Sequence, residues 1–361
     1  MLGPKSPSTR SLLVSSREQW RPAATRRQHS SFSERLYQKL TAQPLPFAFD
    51  YIYPQQSFLL DRTFSGFLPQ PDAPLDALPS INKPSCLPPG HHLVYFPPQV
   101  PLSQLLPDGT DILHYPGYPF TRRLWAGGTV RFPATRDLLL DGRRAVCIET
   151  IRDVLVKGQT GEEKVTVRVE RRIGTVQEGE NYGKIRDRIW KEEEADPGHS
   201  SIIEHRNLVF MREKTPEQLT GARANHGQAS RTIKSPTGSL FRHQLTPTRA
   251  LLFRFSALTF NAHSIHLDQM YTRETEGYSD LLVHGPLTLV LLLAALGKHI
   301  DDLGSVIKEI TYRNIAPLFV GEQMTICGKP KAGNHKGAWD VWIEGKDGGL
   351  AVRGTVQCDL L

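Results

Sequence analysis

The chain has 361 residues, 39% of them hydrophobic and 22% charged, with 44 Lys or Arg against 37 Asp or Glu and a formal net charge of +7. This is the balance of a soluble globular protein long enough for two domains, and no apolar run reaches the roughly 20 residues needed to cross a bilayer. The basic excess argues little for nucleic acid, because residues 1–32 hold six of the cations and one acid, Glu18, and the four cysteines, at 86, 147, 327 and 358, form no CxxC pair, so neither a zinc site nor a disulfide framework is signalled.

Residues 1–32 are rich in Ser and Arg, with Leu12-Leu13-Val14 and Trp20 interspersed. This is the composition of a mitochondrial transit peptide, with residues 26–31 as its cleavage region; a disordered basic tail is the alternative. Ser33 can cap a short helix to about Leu40. Between Pro69 and Pro101 prolines recur too often for a long helix or a central strand, yet Leu93-Val94-Tyr95-Phe96 is apolar enough to dock. An ordered, extended wrap over a domain surface fits both facts. From Pro119 the pattern turns to strands at 122–132, 144–157 and 163–172, with 158–161 as a hairpin and with Gly127-Gly128 marking a bulge or the close approach of another backbone. Residues 174–200 read as a solvated, mobile insertion, 204–212 as a strand and 213–239 as a polar linker.

The second part begins with a strand at 241–246 and continues with the alternation at 251–255, which also reads as a strand. Residues 256–266 then gather two histidines, an asparagine and several hydroxyls into a polar turn leading to a short helix that carries His266. Gly285-Pro286 opens a helix in which nine of the ten residues from 287 to 296 are apolar, so it is expected to be surrounded by protein. Residues 306–314, 322–329, 337–344 and 350–358 complete the chain as four strands joined by glycine-containing turns.

The chemistry concentrates in this second part. His266 has the side chain best able to take and return a proton near neutral pH, and the backbone N–H of Gly285, 19 positions on, would face outward from a helix N-terminus toward a carbonyl oxygen gaining charge. Asn261 can donate or accept hydrogen bonds but cannot protonate a leaving group. His263, His266 and Asp268 could be read as metal ligands through the HxxH spacing, a weak reading because a catalytic zinc takes three protein ligands. No P-loop or dinucleotide fingerprint is present, so phosphoryl and hydride transfer are poor candidates.

The segment Thr259-Phe260-Asn261-Ala262-His263-Ser264-Ile265-His266-Leu267-Asp268, with His284-Gly285 opening the apolar helix, resembles the motif of the MaoC-like (R)-specific hydratases and dehydratases. The wording S-A-L-T-x-N-x-H-x-I-H-x-D, together with LPPGHHLVYFPP, PDGTD and PGYPFTRRLWAGG, is similar to the fungal mitochondrial type 2 hydroxyacyl-thioester dehydratases and to hydratases of mesaconyl-type CoA esters. The resemblance implies an α+β double hot-dog fold, two domains that each wrap an antiparallel sheet around a central helix. It puts an N-terminal hot-dog domain with its proline-rich wrap at 33–212, a linker at 213–239 and the catalytic MaoC-like domain at 240–361.

It further implies a hydro-lyase that dehydrates (3R)-3-hydroxyacyl thioesters reversibly to trans-2-enoyl thioesters, on acyl carrier protein or CoA, in mitochondrial (matrix) fatty-acid synthesis. His266 would be the general base and Asn261, standing where many relatives have a catalytic aspartate, its partner. Gly285, His284, His263 and Asp268 would bind substrate. No metal, cofactor or nucleic acid is implied, and the chain would be a monomeric pseudo-dimer or a homodimer. Two alternatives remain: a mesaconyl-CoA-type hydratase, in which Arg122, Arg123 or Arg273 would reach a distal carboxylate, and a non-catalytic thioester-binding module.

Overall fold

The computed structural model describes residues 31–68, 77–133, 138–225, 232–301, 303–331 and 337–360. The leader expected over residues 1–32 lies outside them up to residue 30. The first half runs α1 (Ser31–Thr41), β1 (Ala48–Tyr51), α2 (Pro54–Phe64), a 3-10 turn at His91–Val94, β2 (Arg122–Arg131), β3 (Arg144–Lys157), β4 (Lys164–Thr175), α3 (Tyr182–Ile189) and β5 (Ile202–Met211). After α4 (Pro216–Ala224) come β6 (Phe241–Leu245), α5 (Arg249–Leu258), α6 (Gln269–Glu274), α7 (Gly285–Asp301), β7 (Ser305–Asn314), β8 (Met324–Pro330), β9 (Ala338–Glu344) and β10 (Leu350–Leu360).

The strands form one antiparallel sheet in the order β1-β3-β4-β5-β2-β7-β10-β9-β8-β6. Read outward from the middle, each half repeats the same connectivity: β2-β5-β4-β3-β1 on one side, β7-β10-β9-β8-β6 on the other. This is a double hot-dog. The two halves join through β2 and β7, paired from Gly127↔Arg313 to Arg131↔Glu309. As expected from the glycine pair, β2 is bulged between Trp125 and Gly127. A Cβ at Gly127 would run into the Tyr312 carbonyl and one at Gly128 into the His205 carbonyl, so only glycine lets both neighbours come this close.

In the second half α7 fills the concave face of the sheet, packing on β7, β8 and β9 and reaching β2. Leu287, Leu289, Val290, Leu291 and Leu296 are fully buried, each contributing about 2 kcal/mol through burial. The first half has no helix of that length among its described residues. Its concave face is covered by α2 and the His91–Val94 turn at one end and by Leu36 and Leu40 of α1 at the other. Gly90, at φ +91, rests against Val290 and Leu293 of α7.

Five expectations need correction. Residues 251–255 are helical, inside α5: the Thr248 hydroxyl caps the helix by accepting from Leu251 N–H, and the buried set Leu251, Leu252, Phe255, Ser256 is a helical stripe that the short alternation imitated. The short helix expected to carry His266 is a single 3-10 turn, Ser264–His266. Residues 174–200 are folded, not a solvated insertion. Ile185, Ile189 and Trp190 are buried on Val146 and Ile148, and the charges pair off, Arg168 with Glu194 and Arg188 with Glu180. The residues between α1 and position 68, for which no element was expected, form β1 and α2, the latter begun by Pro54 at a position where proline loses no hydrogen bond. The stretch read as a linker carries α4, closed by a capping box between Thr215 and Gln218.

Candidate active site

A cavity of about 940 Å³ lies where the two halves meet, lined from the first half by Tyr95, Phe96, Arg123, Trp125, Arg171 and Arg206, and from the second by Asn261, His263, His266, Gly285, Thr288 and Asn314. Among the expected site residues Asn261, His263, His266 and Gly285 line it, whereas His284 and Asp268 do not.

The turn that carries the histidines is held from three sides. Phe260 turns the chain out of α5 with φ +51, Asn261 N–H returns to the Ser256 carbonyl at 2.8 Å, and Asn261 Oδ1 accepts from His263 N–H at 3.0 Å. Residues 107–111 of the first half clamp the other side: Ser264 N–H donates to the Asp108 carbonyl at 2.8 Å, Asp108 Oδ2 lies 3.4 Å from His263 Nε2, and Gly109 sits so close to the Ala262 carbonyl that no Cβ would fit. The segment before α7 closes the third side, with Leu282 N–H on the Ile265 carbonyl at 2.9 Å.

His266 is oriented by its ring nitrogen Nδ1, which is 2.7 Å from the Leu282 carbonyl. A carbonyl only accepts, so Nδ1 carries the hydrogen and Nε2 is left with its lone pair. His284 stacks on this ring at 3.6 Å between centroids, and its own Nε2 meets Ser256 Oγ at 2.8 Å. His284 is therefore a buried backing plate for His266, not a lining residue. Asp268 caps α6 by accepting from Tyr271 N–H at 3.0 Å. Burial pushes the His266 pKa down to about 4, with the Arg123 charge adding to the shift and the Leu282 carbonyl opposing it. Burial likewise holds His263 and His284 well below the ordinary histidine value. All three rings are neutral at pH 7, the state a general base requires.

Gly285 opens α7, and among the described residues no backbone acceptor takes up its N–H, as expected in the first turn of a helix. The helix start is fixed by Asn314, which donates to the Trp125 carbonyl at 2.9 Å, and by Thr288, whose hydroxyl donates to the Gly285 carbonyl at 2.7 Å. A Cβ at Gly285 would lie 2.7 Å from Asn314 Nδ2 and 2.9 Å from Trp125 Cβ. Gly285→Ala is expected to shift this helix start, costing about 1–3 kcal/mol in urea unfolding and more than about tenfold in turnover through a misaimed N–H. An alanine variant with full activity would show that the helix start absorbs the added carbon without misaiming the N–H.

The first half supplies charges that the sequence reading did not single out. Arg171 binds Glu149 and Glu204, and Arg206 Nη2 binds Glu204 at 2.9 Å while its buried Nε has no acceptor among the described residues. The run Glu170-Arg171-Arg172 inside a strand was the available signal, since in a strand consecutive charges cannot all face solvent. Of the three arginines considered earlier, Arg123 lines the cavity and pairs with Asp111 at 3.0 Å; Arg122 is tied to Glu276 at 2.7 Å and, like Arg273, does not line it. Glu170, Glu194 and His205 form the one ligand-like trio among the described residues, but Arg152, Arg168 and Arg172 already bind its carboxylates.

Comparison with known proteins agrees with this geometry. The family model for hydroxyacyl-thioester dehydratase type 2 matches residues 90–320. The chain is 31% identical over 286 residues to a mesaconyl-C(4)-CoA hydratase from Chloroflexus aurantiacus, covering 79% of this chain and 87% of that protein. It is 28% identical over 277 residues to the mitochondrial hydroxyacyl-thioester dehydratase type 2 of Schizosaccharomyces pombe, covering 74% of this chain and 84% of the relative. Among solved structures, a MaoC-like dehydratase from Phytophthora capsici shares the fold with a TM-score of 0.57 at 12% identity, over 90% of this chain and 97% of that one.

Proposed function

The chain belongs to the hydroxyacyl-thioester dehydratase type 2 family, and from that premise we propose that it is a hydro-lyase interconverting (3R)-3-hydroxyacyl and trans-2-enoyl thioesters, carried on acyl carrier protein in mitochondrial fatty-acid synthesis. The observation that carries this reading is the pinned imidazole of His266, with Nδ1 fixed on the Leu282 carbonyl and Nε2 left as the base in a cavity that Gly285 also lines. In the dehydration direction Gly285 N–H donates to the thioester carbonyl oxygen and stabilises the enolate-like charge, while His266 Nε2 takes the proton from C2. The C3–O bond then breaks, the double bond forms between C2 and C3, and the same imidazolium returns its proton to the departing hydroxyl, which leaves as water. Because an amide cannot supply that proton, Asn261 acts by position. Its Oδ1 is engaged by His263 N–H, so the NH2 group is what it can offer to the hydroxyl.

A matrix location is supported by the composition of residues 1–32 and by the mitochondrial name of the S. pombe relative. The test of the activity is turnover by the purified protein on 3-hydroxyacyl and enoyl thioesters of several chain lengths, with Asn261→Ala and Asn261→Asp beside the wild type. Wild-type turnover with Asn261→Ala slowed about tenfold or more is expected from loss of a positioning hydrogen bond. A wild-type protein that binds these thioesters and turns none over would leave the binding-module reading in its place.

A second reading is favoured by Arg206, whose cationic side chain lies on the cavity wall beside Arg123 and Arg171. A substrate carrying a second carboxylate, as in mesaconyl-type esters, would find a countercharge there. Inclusion of a dicarboxylic enoyl monothioester in the panel, with Arg206→Gln, separates the readings: a preference for that substrate that disappears in the variant favours the second.

A further inference from the structure

The exposed face of α5 beside the cavity is unlike an ordinary solvated helix surface. Its outward residues are Arg249, Ala250, Phe253, Arg254 and Ala257, and Phe253 remains 64% exposed. With Phe58, Leu59, Arg62 and Thr63 of α2 this face forms a second groove, whose charged lining residues are both arginines, Arg62 and Arg254. Phe253 and Ala257 line the groove and the cavity alike, so the two adjoin. Around the same end of the cavity Phe260 and Leu102 are exposed at 67% and 85%, giving the opening an apolar rim. Among the described residues no acid pairs with Arg249 or Arg254.

We propose that the α2–α5 face docks an acidic acyl carrier protein, with Arg249, Arg254 and Arg62 meeting acidic side chains of the carrier and Phe253 and Leu59 meeting its apolar contacts. The proposal rests on the reading that the cavity takes acyl thioesters. It adds where the carrier lands. Adjacency of groove and cavity is the geometric reason: a carrier seated on α5 has its prosthetic arm beside Phe253, Phe260 and Leu102, exposed residues that also line the cavity containing Gly285 and His266. Charge complementarity is the energetic reason, since opposite charges on facing surfaces steer encounter and set register, with an effect that salt screens. An apolar centre flanked by arginine is also the composition expected of a contact surface.

The test uses the full chain and the Arg249→Glu/Arg254→Glu double variant, assayed with the same 3-hydroxyacyl group on an acidic acyl carrier protein and on CoA. The variant is expected to raise KM for the carrier-borne substrate at least tenfold at low salt, while kcat/KM for the CoA ester stays within twofold of wild type. The wild-type KM for the carrier-borne substrate should rise with salt. Binding of the carrier lacking its prosthetic arm, followed by calorimetry, should weaken by a similar factor. An unchanged KM for the carrier-borne substrate overturns the proposal, as does an equal loss on the CoA ester, which would mean attraction of any anionic thioester. A wild-type dimer that the double variant splits would assign the face to a second copy of this chain instead. If neither thioester is turned over, the activity reading fails by itself, and armless-carrier binding that the double variant loses still decides the surface.

Discussion

His266→Ala is expected to keep the fold and to lose about 10²–10⁴-fold in turnover of both hydroxyacyl and enoyl thioesters, the range associated with removal of one general acid–base group. The expectation is strong because this imidazole does two jobs: it takes the C2 proton and returns it to the hydroxyl, and Asn261 cannot take over the second. His284 is nearer, 3.6 Å away between centroids, but it is buried behind the ring with its Nε2 on Ser256 Oγ, and His263, 5.5 Å away, lies against Asp108 and is turned at 82° to His266. The structural cost of the change is modest. It removes the hydrogen bond to Leu282, leaving that carbonyl without its partner, and opens a small space against His284, together about 1–3 kcal/mol. Circular dichroism and a urea titration would show the folded protein, and turnover would show the loss. A variant that is folded and retains most of its activity would remove His266 from the mechanism. The acid limb of kcat/KM is a companion measurement. With the His266 pKa near 4 the base is already free at neutral pH, so activity should persist below pH 6 until the fold itself gives way.

The second large effect concerns that loss of fold. Five buried histidines, His91, His92, His263, His266 and His284, have pKa values lowered by burial, His91 to about 3 and His266 to about 4. In the unfolded chain each would titrate near 6.5. Below that pH the unfolded state takes up protons that the folded state refuses, so stability falls as pH falls, by about 1.4 kcal/mol per pH unit for each histidine and up to about 7 kcal/mol per unit for all five. Paired carboxylates such as Glu149, Glu204 and Glu170, the last lowered to about 2, act in the same direction but only below their ordinary value near 4.5. Between pH 6.5 and 4.5 the histidines dominate, opposed only in part by Asp61, whose carboxyl burial raises to about 6 so that the folded state takes up that proton first. Against a typical stability of about 5–15 kcal/mol, acid unfolding is expected one to two units below pH 6.5. Urea midpoints at pH 7.5, 6.5 and 5.5 measure it directly; a midpoint that does not move across that range would contradict the neutral, buried state of these rings.

The sequence determined much of this protein by local means. Nine apolar residues among the ten from 287 to 296 could only be a fully buried helix, and α7 is one. Gly127-Gly128 within an aromatic strand announced the bulge at the junction of the halves. The histidine turn and the glycine opening α7 were legible because their residue types and spacing are chemically unusual. What failed locally were segments whose signal depends on a cap or on a distant partner. Residues 251–255 are too few to separate period two from period 3.6, and the cap at Thr248 lies three residues before them. The charges of 174–200 look solvated until Arg168 meets Glu194 and Trp190 is covered by Arg152.

Only the tertiary structure decided how the site is assembled. The clamp by Asp108 and Gly109 comes from about 150 positions earlier in the chain, and Trp125 and Asn314 meet at the start of α7 because β2 and β7 are neighbours in the sheet. His284, which the motif suggested as a substrate contact, stands behind His266, and Asp268 is spent on a helix cap. No periodicity along one strand or helix encodes such contacts. They follow from two repeated halves closing on each other beside α7, the one long central helix among the described residues, with the cavity between them.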